Sequence, residues 1–289
     1  MSWITIDQDK CNACGICAKR CVQNFTNNNG VITANANELT CVLCGHCVAL
    51  CRTGAITHNK MDMNNFPEVK AQININTDDF LELVRQRRSQ RAYRDRMVPR
   101  EDLRKLIDMC RYSPTGGNLQ TVQIKIITNP DKIKKLSDLS VDYLLDVINQ
   151  IENKINKLTA EGKEIPKDLA LRRGYSERYK RLGLARDMGL DPILHKAPVV
   201  MIFHSTISPS TPKDDCTIAA QTVVLGAMTM GLGSCYIGLL NRAGNEYPPL
   251  KKELDLPPEN TIHSVLVIGY PTMKYVRAVD RKPMKVVWE

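Results

Sequence analysis

Eight of the eleven cysteines fall in two runs that share one spacing. Cys11, Cys14, Cys17 and Cys21 follow the pattern C-x-x-C-x-x-C-x-x-x-C, and Cys41, Cys44, Cys47 and Cys51 repeat it. Loops this short aim three thiolates at one iron-sulfur cubane, and a fourth cysteine beyond a helical turn completes a ligand set. Two other chemistries compete. Structural zinc usually pairs a C-x-x-C with a second, distant pair, and disulfides persist in oxidising compartments. The chain opens directly on the apolar run Trp3-Ile4-Thr5-Ile6, a short predicted strand, with no charged-then-apolar leader. That opening predicts a cytoplasmic protein, and the spacing favours two 4Fe-4S clusters over zinc or disulfides.

Over residues 1–60 the segment resembles the bacterial two-cluster ferredoxins. The resemblance implies crossed ligation, with one cluster held by Cys11, Cys14, Cys17 and Cys51 and the other by Cys41, Cys44, Cys47 and Cys21. It also shows a departure. The proline that commonly follows the fourth cysteine is Val22 in the first repeat and Arg52 in the second. A proline there stiffens the turn and removes a backbone donor, so its loss bears on loop geometry and potential more than on cluster binding.

These cysteines occupy too little of a 289-residue chain to be all of it. A polar stretch over 61–76, with Pro67 and no sustained period, reads as a linker, and a larger domain is expected over 77–289. The net charge of +9 raises nucleic acid as a partner. Many of the cations, however, alternate with apolar residues at helical spacing over 85–111 and 154–186, and no nucleic-acid module is present. The longest uncharged run, 217–240, carries Gln221, three threonines and the break Gly231-Leu232-Gly233, so a buried helix followed by a buried strand explains it better than a membrane span. Neither nucleic acid nor a membrane is expected as a partner.

In the larger domain the first chemical feature is Arg87-Arg88-Ser89-Gln90-Arg91. Three guanidiniums and a hydroxyl within five residues can converge on one phosphate, because each guanidinium offers a planar fork of donors. A helix starting at Thr77-Asp78-Asp79, with Phe80, Leu81 and Val84 as its apolar stripe, should precede the block. After it come a helix with Leu103, Leu106, Ile107 and Cys110 on one face, the loop from Tyr112 to Gln120, and a strand over 122–127. Further on lie a strand over 197–203, an apolar helix from about Asp215, the run from Gly231 to Gly238, a strand over 264–268 and the Arg281-Lys282-Pro283 tail.

In this order the blocks resemble the nitroreductase family over 77–289. The resemblance implies an α+β sandwich fold, a homodimer, and one FMN in each of two interface sites. It implies that Arg87, Arg88, Ser89 and Arg91 meet the phosphate and ribityl chain. Pro114, Thr115 and Asn118, with Gln120 beside them, match a loop reaching the flavin of the partner subunit. Tyr236, Ile237 and Gly238 match the backbone along the ring edge, and Arg281 matches a C-terminal arginine at the phosphate. The chain departs from some members at Gly238, where an acidic side chain can stand nearby, and at Val279, where a basic one can.

Within 131–196, Leu144, Ile148, Ile151, Ile155 and Leu158 predict one long amphipathic helix, for core or dimer packing ahead of a substrate lid. The charged stretch 162–191 reads as a cover over the flavin mouth or a mobile segment. Cys110, Cys216 and Cys235 read as buried thiols, and none of the five histidines, His46 and His195 included, has a catalytic setting. No protein nucleophile or acid-base pair is required, because a flavin carries its own chemistry.

Joining the halves gives an expected oxidoreductase. Clusters pass single electrons, from reduced ferredoxin or another low-potential donor, to FMN, which passes pairs to a flat acceptor such as a nitroaromatic, a quinone or an enone. NAD(P)H is the competing donor, with the clusters then accessory. No strand-G-x-G-x-x-G-helix unit is present, but stacking on a flavin does not need one. A non-catalytic electron relay or redox sensor is the reading from another class.

Overall fold

The computed structural model describes residues 2–207 and 210–289. Their contacts divide the chain into two units, Met1–Ile75 with Gly117–Leu119, and Asn76–Gly116 with Gln120–Glu289.

The first unit runs β1 (Ile4–Ile6), α1 (Ile16–Arg20), β2 (Phe25–Asn28), β3 (Val31–Ala34), α2 (His46–Leu50) and β4 (Ile56–His58). β1 pairs antiparallel with β4, and β2 with β3. The β2–β3 turn is Asn29-Gly30, both at positive φ, the dipeptide that a tight two-residue hairpin favours. Each cysteine quartet is a loop followed by a single helical turn, and the two loops share an unusual backbone. Ala13 and Gly15 have φ of 55° and 71°, and Leu43 and Gly45, at the same places in the second loop, have 53° and 69°. A left-handed conformation costs an L-residue roughly 1–2 kcal/mol. Both loops accept it, at Ala13 and at Leu43.

The second unit contains α3 (Thr77–Gln86), α4 (Arg100–Cys110), β5 (Gln123–Ile127), α5 (Pro130–Ala160), α6 (Lys167–Arg173), α7 (Ser176–Asp187), β6 (Val199–Thr206), α8 (Pro212–Thr229), β7 (Gly233–Tyr236), α9 (Gly238–Glu246), α10 (Pro248–Leu254) and β8 (Asn260–Gly269). Its sheet is antiparallel in the order β5-β6-β8-β7. β6 is the run Val199-Val200-Met201-Ile202-Phe203, buried on both faces because successive side chains alternate. Val200 and Ile202 share one core cluster with Leu136 and Leu144 of α5 and Leu240 of α9, whereas Val199, Met201 and Phe203 share the other with Leu106 of α4 and Val223 of α8. The unit is thus a three-layer α+β sandwich, as expected in class.

Several boundaries differ from those expected. Helix α3 is capped by Asn76, whose Oδ1 accepts from the Asp79 amide at 2.8 Å, so the first capping side chain lies one residue before Thr77. Its stripe of Phe80, Leu81 and Val84 is exposed rather than buried. Helix α5 begins at Pro130, well ahead of the apolar repeat, because Asn129 Oδ1 accepts from Lys132 N at 2.9 Å and Pro130 suits a first helical turn. The charged stretch 162–191 holds α6 and α7, anchored on α5 by Leu169 and by Gly183, where an added Cβ would sit 3.3 Å from Leu145 Cδ1. The 217–240 run is a buried helix, a turn through Gly231 at φ 70°, and a buried strand. Among the described residues no helix is long and apolar enough to cross a membrane.

Candidate functional site

In the second unit the arginine block is threaded along the free edge of β7. Ser89 forms a parallel bridge with Ser234, and Gln90 N donates to Ser234 O at 2.9 Å. Arg94 N then donates to Tyr270 O at 2.8 Å and Thr272 N to Ala92 O at 3.1 Å, so the segment is stitched on both sides. The approach is close enough to exclude side chains. A Cβ on Gly233 would lie 2.5 Å from Gln90 Cγ, and one on Gly269 would lie 2.6 Å from Pro198 Cδ and 2.9 Å from Tyr93 Cδ1.

This threading delivers Arg87 and Arg88 to a cavity of about 570 Å³ whose wall also includes Gly233, Ser234 and Tyr275. Arg88 is the informative residue. Its guanidinium carbon lies 5.9 Å from the Tyr275 ring centroid, and its Nε is buried with no hydrogen-bond partner. A buried guanidinium donor left unpaired is costly, so an anionic oxygen in the cavity is the missing acceptor that the geometry calls for. Tyr236 stands near the block: burial pushes its phenol up to about 12, against the opposing pull of Arg87. Ile237 is buried and donates its amide to Val265 O at 2.9 Å. Gly238 opens α9 with nothing within 4 Å of where a Cβ would stand, and the first amides of a helix have no acceptor within it. Open space beside free amide donors suits a planar ligand edge.

The other predicted residues are placed differently. Arg91 is exposed, near enough to His195 to oppose its protonation, although burial is the larger cause of that lowered pKa. Arg281 lies on the exposed tail beyond β8 and outside the cavity wall. Pro114, Thr115 and Gln120 belong to the loop after α4, with Gln120 at φ 52° and its amide donating to Thr115 Oγ1 at 3.0 Å. Asn118, at φ 56°, counts with the first unit, where its Nδ2 donates to the carbonyls of Val42 and Leu43 at 2.9 Å. A residue that sequence reasoning passed over holds the near side of this loop. Asp215 is buried, its Oδ1 accepts from Gly116 N at 3.0 Å and from Thr211 Oγ1 at 2.9 Å, and its Oδ2 is unpartnered. In the sequence it was only one of two aspartates in a first helical turn.

In the first unit, Cys11, Cys14, Cys17 and Cys51 line one cavity of about 130 Å³, with Cys47 at its wall. Cys47 is buried, and burial first, then the neighbouring Cys44, Cys41 and Cys21, push its thiol up to about 11. Those three neighbours complete the second expected ligand set. Burial likewise raises Cys17, with Cys14 and Cys11 adding to the effect. Burial also works to raise Cys51, but hydrogen bonds from the Thr53 hydroxyl and the Ala55 amide outweigh it and its pKa is lowered. Among the described residues no three His, Cys, Asp or Glu side chains converge on a single-ion site. A cubane takes one thiolate per iron and therefore spreads its ligands around a volume. Two side chains that the spacing does not reveal reach the sulfurs: Asn24 Nδ2 lies 3.3 Å from Cys21 Sγ, and His58 Nε2 lies 3.4 Å from Cys41 Sγ. The three remaining cysteines have no such setting. Burial raises Cys110 to about 11 and Cys216 to about 12, and Cys235 is buried in the sheet.

The Nitroreductase family profile matches residues 84–270, from within α3 through β8 to Tyr270. The chain belongs to the nitroreductase family. As a nitroreductase-family enzyme it is an oxidoreductase. The chain is 24% identical over 194 residues to an Archaeoglobus fulgidus protein provisionally named an NADH dehydrogenase/NAD(P)H nitroreductase, covering 67% of this chain and 86% of the relative. It is 28% identical over 165 residues to the 4-nitrobenzoate reductase of Pseudomonas putida, covering 55% and 72%. Among solved structures, the FMN-bound nitroreductase of Bacteroides fragilis superposes with a TM-score of 0.53 at 20% identity, covering 73% of this chain and all (100%) of that one. The FMN-bound nitroreductase of Desulfitobacterium hafniense gives 0.52 at 18%, covering 72% and 97%. At these identities the superpositions establish a nitroreductase-like α+β fold.

Removing the Asp215 carboxylate strands the Gly116 amide and the Thr211 hydroxyl. Asp215→Ala is expected to lose about 1–3 kcal/mol in denaturant unfolding, whereas Asp214→Ala, on the exposed side of the same turn, should stay within about 0.5 kcal/mol of the parent. Equal midpoints for the two variants would show that Asp215 does not hold the loop.

Proposed function

We propose that this nitroreductase-family chain is an FMN-dependent oxidoreductase that receives single electrons through two 4Fe-4S clusters and reduces a flat, electron-poor acceptor by two electrons. The observation that carries the flavin half is the buried, unpartnered Nε of Arg88 beside Arg87. A phosphate would supply its acceptor, and a guanidinium is matched to phosphate oxygens. Arg87, Arg88, Ser89 and Arg91 would hold the phosphate and ribityl end. Tyr236, Ile237 and Gly238 would border the ring, the Tyr236 phenol staying protonated as a donor. Arg281, and the loop residues Pro114, Thr115, Asn118 and Gln120, would complete the site from a second subunit or a rearranged tail. When bound, FMN supplies an electron store that fills in single steps and empties in pairs. The Bacteroides fragilis and Desulfitobacterium hafniense structures that share this fold have bound FMN.

The cluster half rests on the paired loops. Cys11, Cys14, Cys17 and Cys51 would hold one cluster, and Cys21, Cys41, Cys44 and Cys47 the other. Bound clusters supply one-electron chemistry. Both loops share left-handed residues at matching positions, and binding iron would displace the proton of the buried Cys47 thiol to solvent. Loading such thiols needs a reducing compartment, which supports a cytoplasmic setting. Reduced ferredoxin or a similar low-potential donor is the favoured source, because a two-cluster module has no use where a nicotinamide reduces the flavin directly. NAD(P)H is the second reading, favoured by the name of the archaeal relative. The acceptor is a nitroaromatic, a quinone, an enone or a similar small ring compound.

A homodimer is part of the proposal. Phe80, Leu81 and Val84 of α3 are 49%, 42% and 44% exposed, and the tail presents Val287 at 82% and Trp288 at 91%. Apolar side chains gathered on one helix and one strap mark a protein interface. Sedimentation should give a dimer in the native chain, and Phe80→Lys/Val84→Lys should yield monomer; an unchanged monomeric native chain would refute the assembly.

The Arg87→Ala/Arg91→Ala variant is expected to lose most of its FMN on gel filtration, and with it acceptor reduction, while the iron-sulfur absorbance stays. Full flavin occupancy in that variant would place the phosphate elsewhere.

A further inference from the structure

The two quartets repeat in backbone but not in the side chains that reach their sulfurs. Asn24 is 3% exposed, and its Nδ2 donates both to Cys21 Sγ at 3.3 Å and to Thr40 O at 3.0 Å. A carbonyl only accepts, so the amide orientation is fixed with its nitrogen toward the sulfur. Its Oδ1 is left buried without a partner. An orphaned buried oxygen is destabilising, and burying the residue for packing alone would favour an apolar side chain here.

His58 is 1% exposed. The Lys60 amide donates to its Nδ1 at 3.2 Å, so the ring proton sits on Nε2, which faces Cys41 Sγ at 3.4 Å. Trp3 stands against the ring with centroids 6.4 Å apart. Both donors are thereby oriented by the fold.

Thirty residues away, the repeat-related positions provide neither. Gly54 stands where Asn24 would be repeated and has no side chain. Asn28 stands where His58 would be, is exposed, and makes no hydrogen bond to Cys11 among the described residues. Among the described residues the other ligand set has side-chain or amide donors only at Cys51, the Ala55 amide at 3.3 Å and the exposed Thr53 hydroxyl at 3.6 Å.

We infer that Asn24 and His58 are positioning residues that raise the reduction potential of the cluster held by Cys21, Cys41, Cys44 and Cys47, and of that cluster alone. The inference rests on the iron-sulfur reading of the first unit. Hydrogen bonds to ligand sulfurs are among the protein's controls on cluster potential. Each N–H dipole points at sulfur that grows more negative when an electron arrives, so it stabilises the reduced form more than the oxidised one. The step is the gain of one electron from the low-potential donor. No bond forms or breaks, and both protons stay on their nitrogens. Because Cys21 and Cys41 come from different quartets, the inference also requires that the two act on one cluster.

The test is a redox titration of the whole chain, followed by low-temperature electron paramagnetic resonance. The variants are Asn24→Leu and His58→Phe, which keep approximate shape and remove the donor, their double variant, and His58→Gln, which restores one. Each single variant should move one midpoint to a more negative value and leave the other in place. Both should move the same signal, the double variant should move it further, and His58→Gln should recover part of the shift. Unmoved midpoints at native iron content would overturn the inference, and shifts on different signals would overturn the shared ligand set. If one of Asn24→Leu and His58→Phe loses a cluster, the decision passes to the other, and if both do, to Asn24→Ala and His58→Leu, whose midpoints must fall below the native value; native midpoints in these variants overturn the role of the donors. Absence of any four-iron signal in the native chain would instead sink the underlying reading.

Discussion

A compact unit as small as the first one depends on something other than hydrophobic burial. Its buried apolar core amounts to Ile4, Phe25, Ile32, Ala36, Cys47 and Ile56, with further cysteines packed at its margin. Units of this size bury too little surface to offset chain entropy comfortably, and natural ones add disulfides or metal. Burial makes proton loss to water unfavourable at Cys17 and Cys47, and the loops that carry the thiols hold Ala13 and Leu43 in left-handed conformations. Iron, on the proposed reading, would resolve the difficulties together: it would take the place of the protons, cross-link the loops through crossed ligands and offset the strained loop geometry. Much of the proposed function follows from that constraint.

The second unit meets the opposite condition. Its sheet is covered on both faces, so packing is abundant and the chemistry is confined to an edge. β7 is short and leaves one side free, and the segment from Ser89 to Arg94 occupies it. Glycine at 233 and 269 lets backbones approach within distances that a Cβ would forbid. A rigid sheet edge thus becomes a rail that presents Arg87 and Arg88 to the cavity. Asp215 does comparable work at the Gly116 end of the loop after α4.

What the sequence disclosed follows from which forces are local. The cysteine spacing is written in the chain because three of the proposed ligands would come from one short loop. The run Val199 to Phe203 reads as a strand because burial on both faces leaves no polar interruption. Helix caps were less legible, since Asn76 and Asn129 act through a single hydrogen bond each. The charged stretch 162–191 concealed α6 and α7, whose burial rests on a few contacts such as Leu169 and Gly183. Phe80, Leu81 and Val84 have correct helical spacing but stay exposed among the described residues, because amphipathic period reports that a face is to be covered and not by what. Asn24, His58 and Asp215 were invisible for a different reason: each gains its role from a residue brought near by folding.

The central claim is that electrons enter through the cysteine-rich unit before they reach the flavin. Anaerobic stopped-flow reduction, with reduced ferredoxin and with NAD(P)H in parallel, reads the cluster and flavin bands separately. The account predicts that ferredoxin bleaches the cluster band first and the flavin band after it, and that NAD(P)H is slow. Rapid bleaching of the flavin by NAD(P)H while the clusters stay oxidised would contradict it.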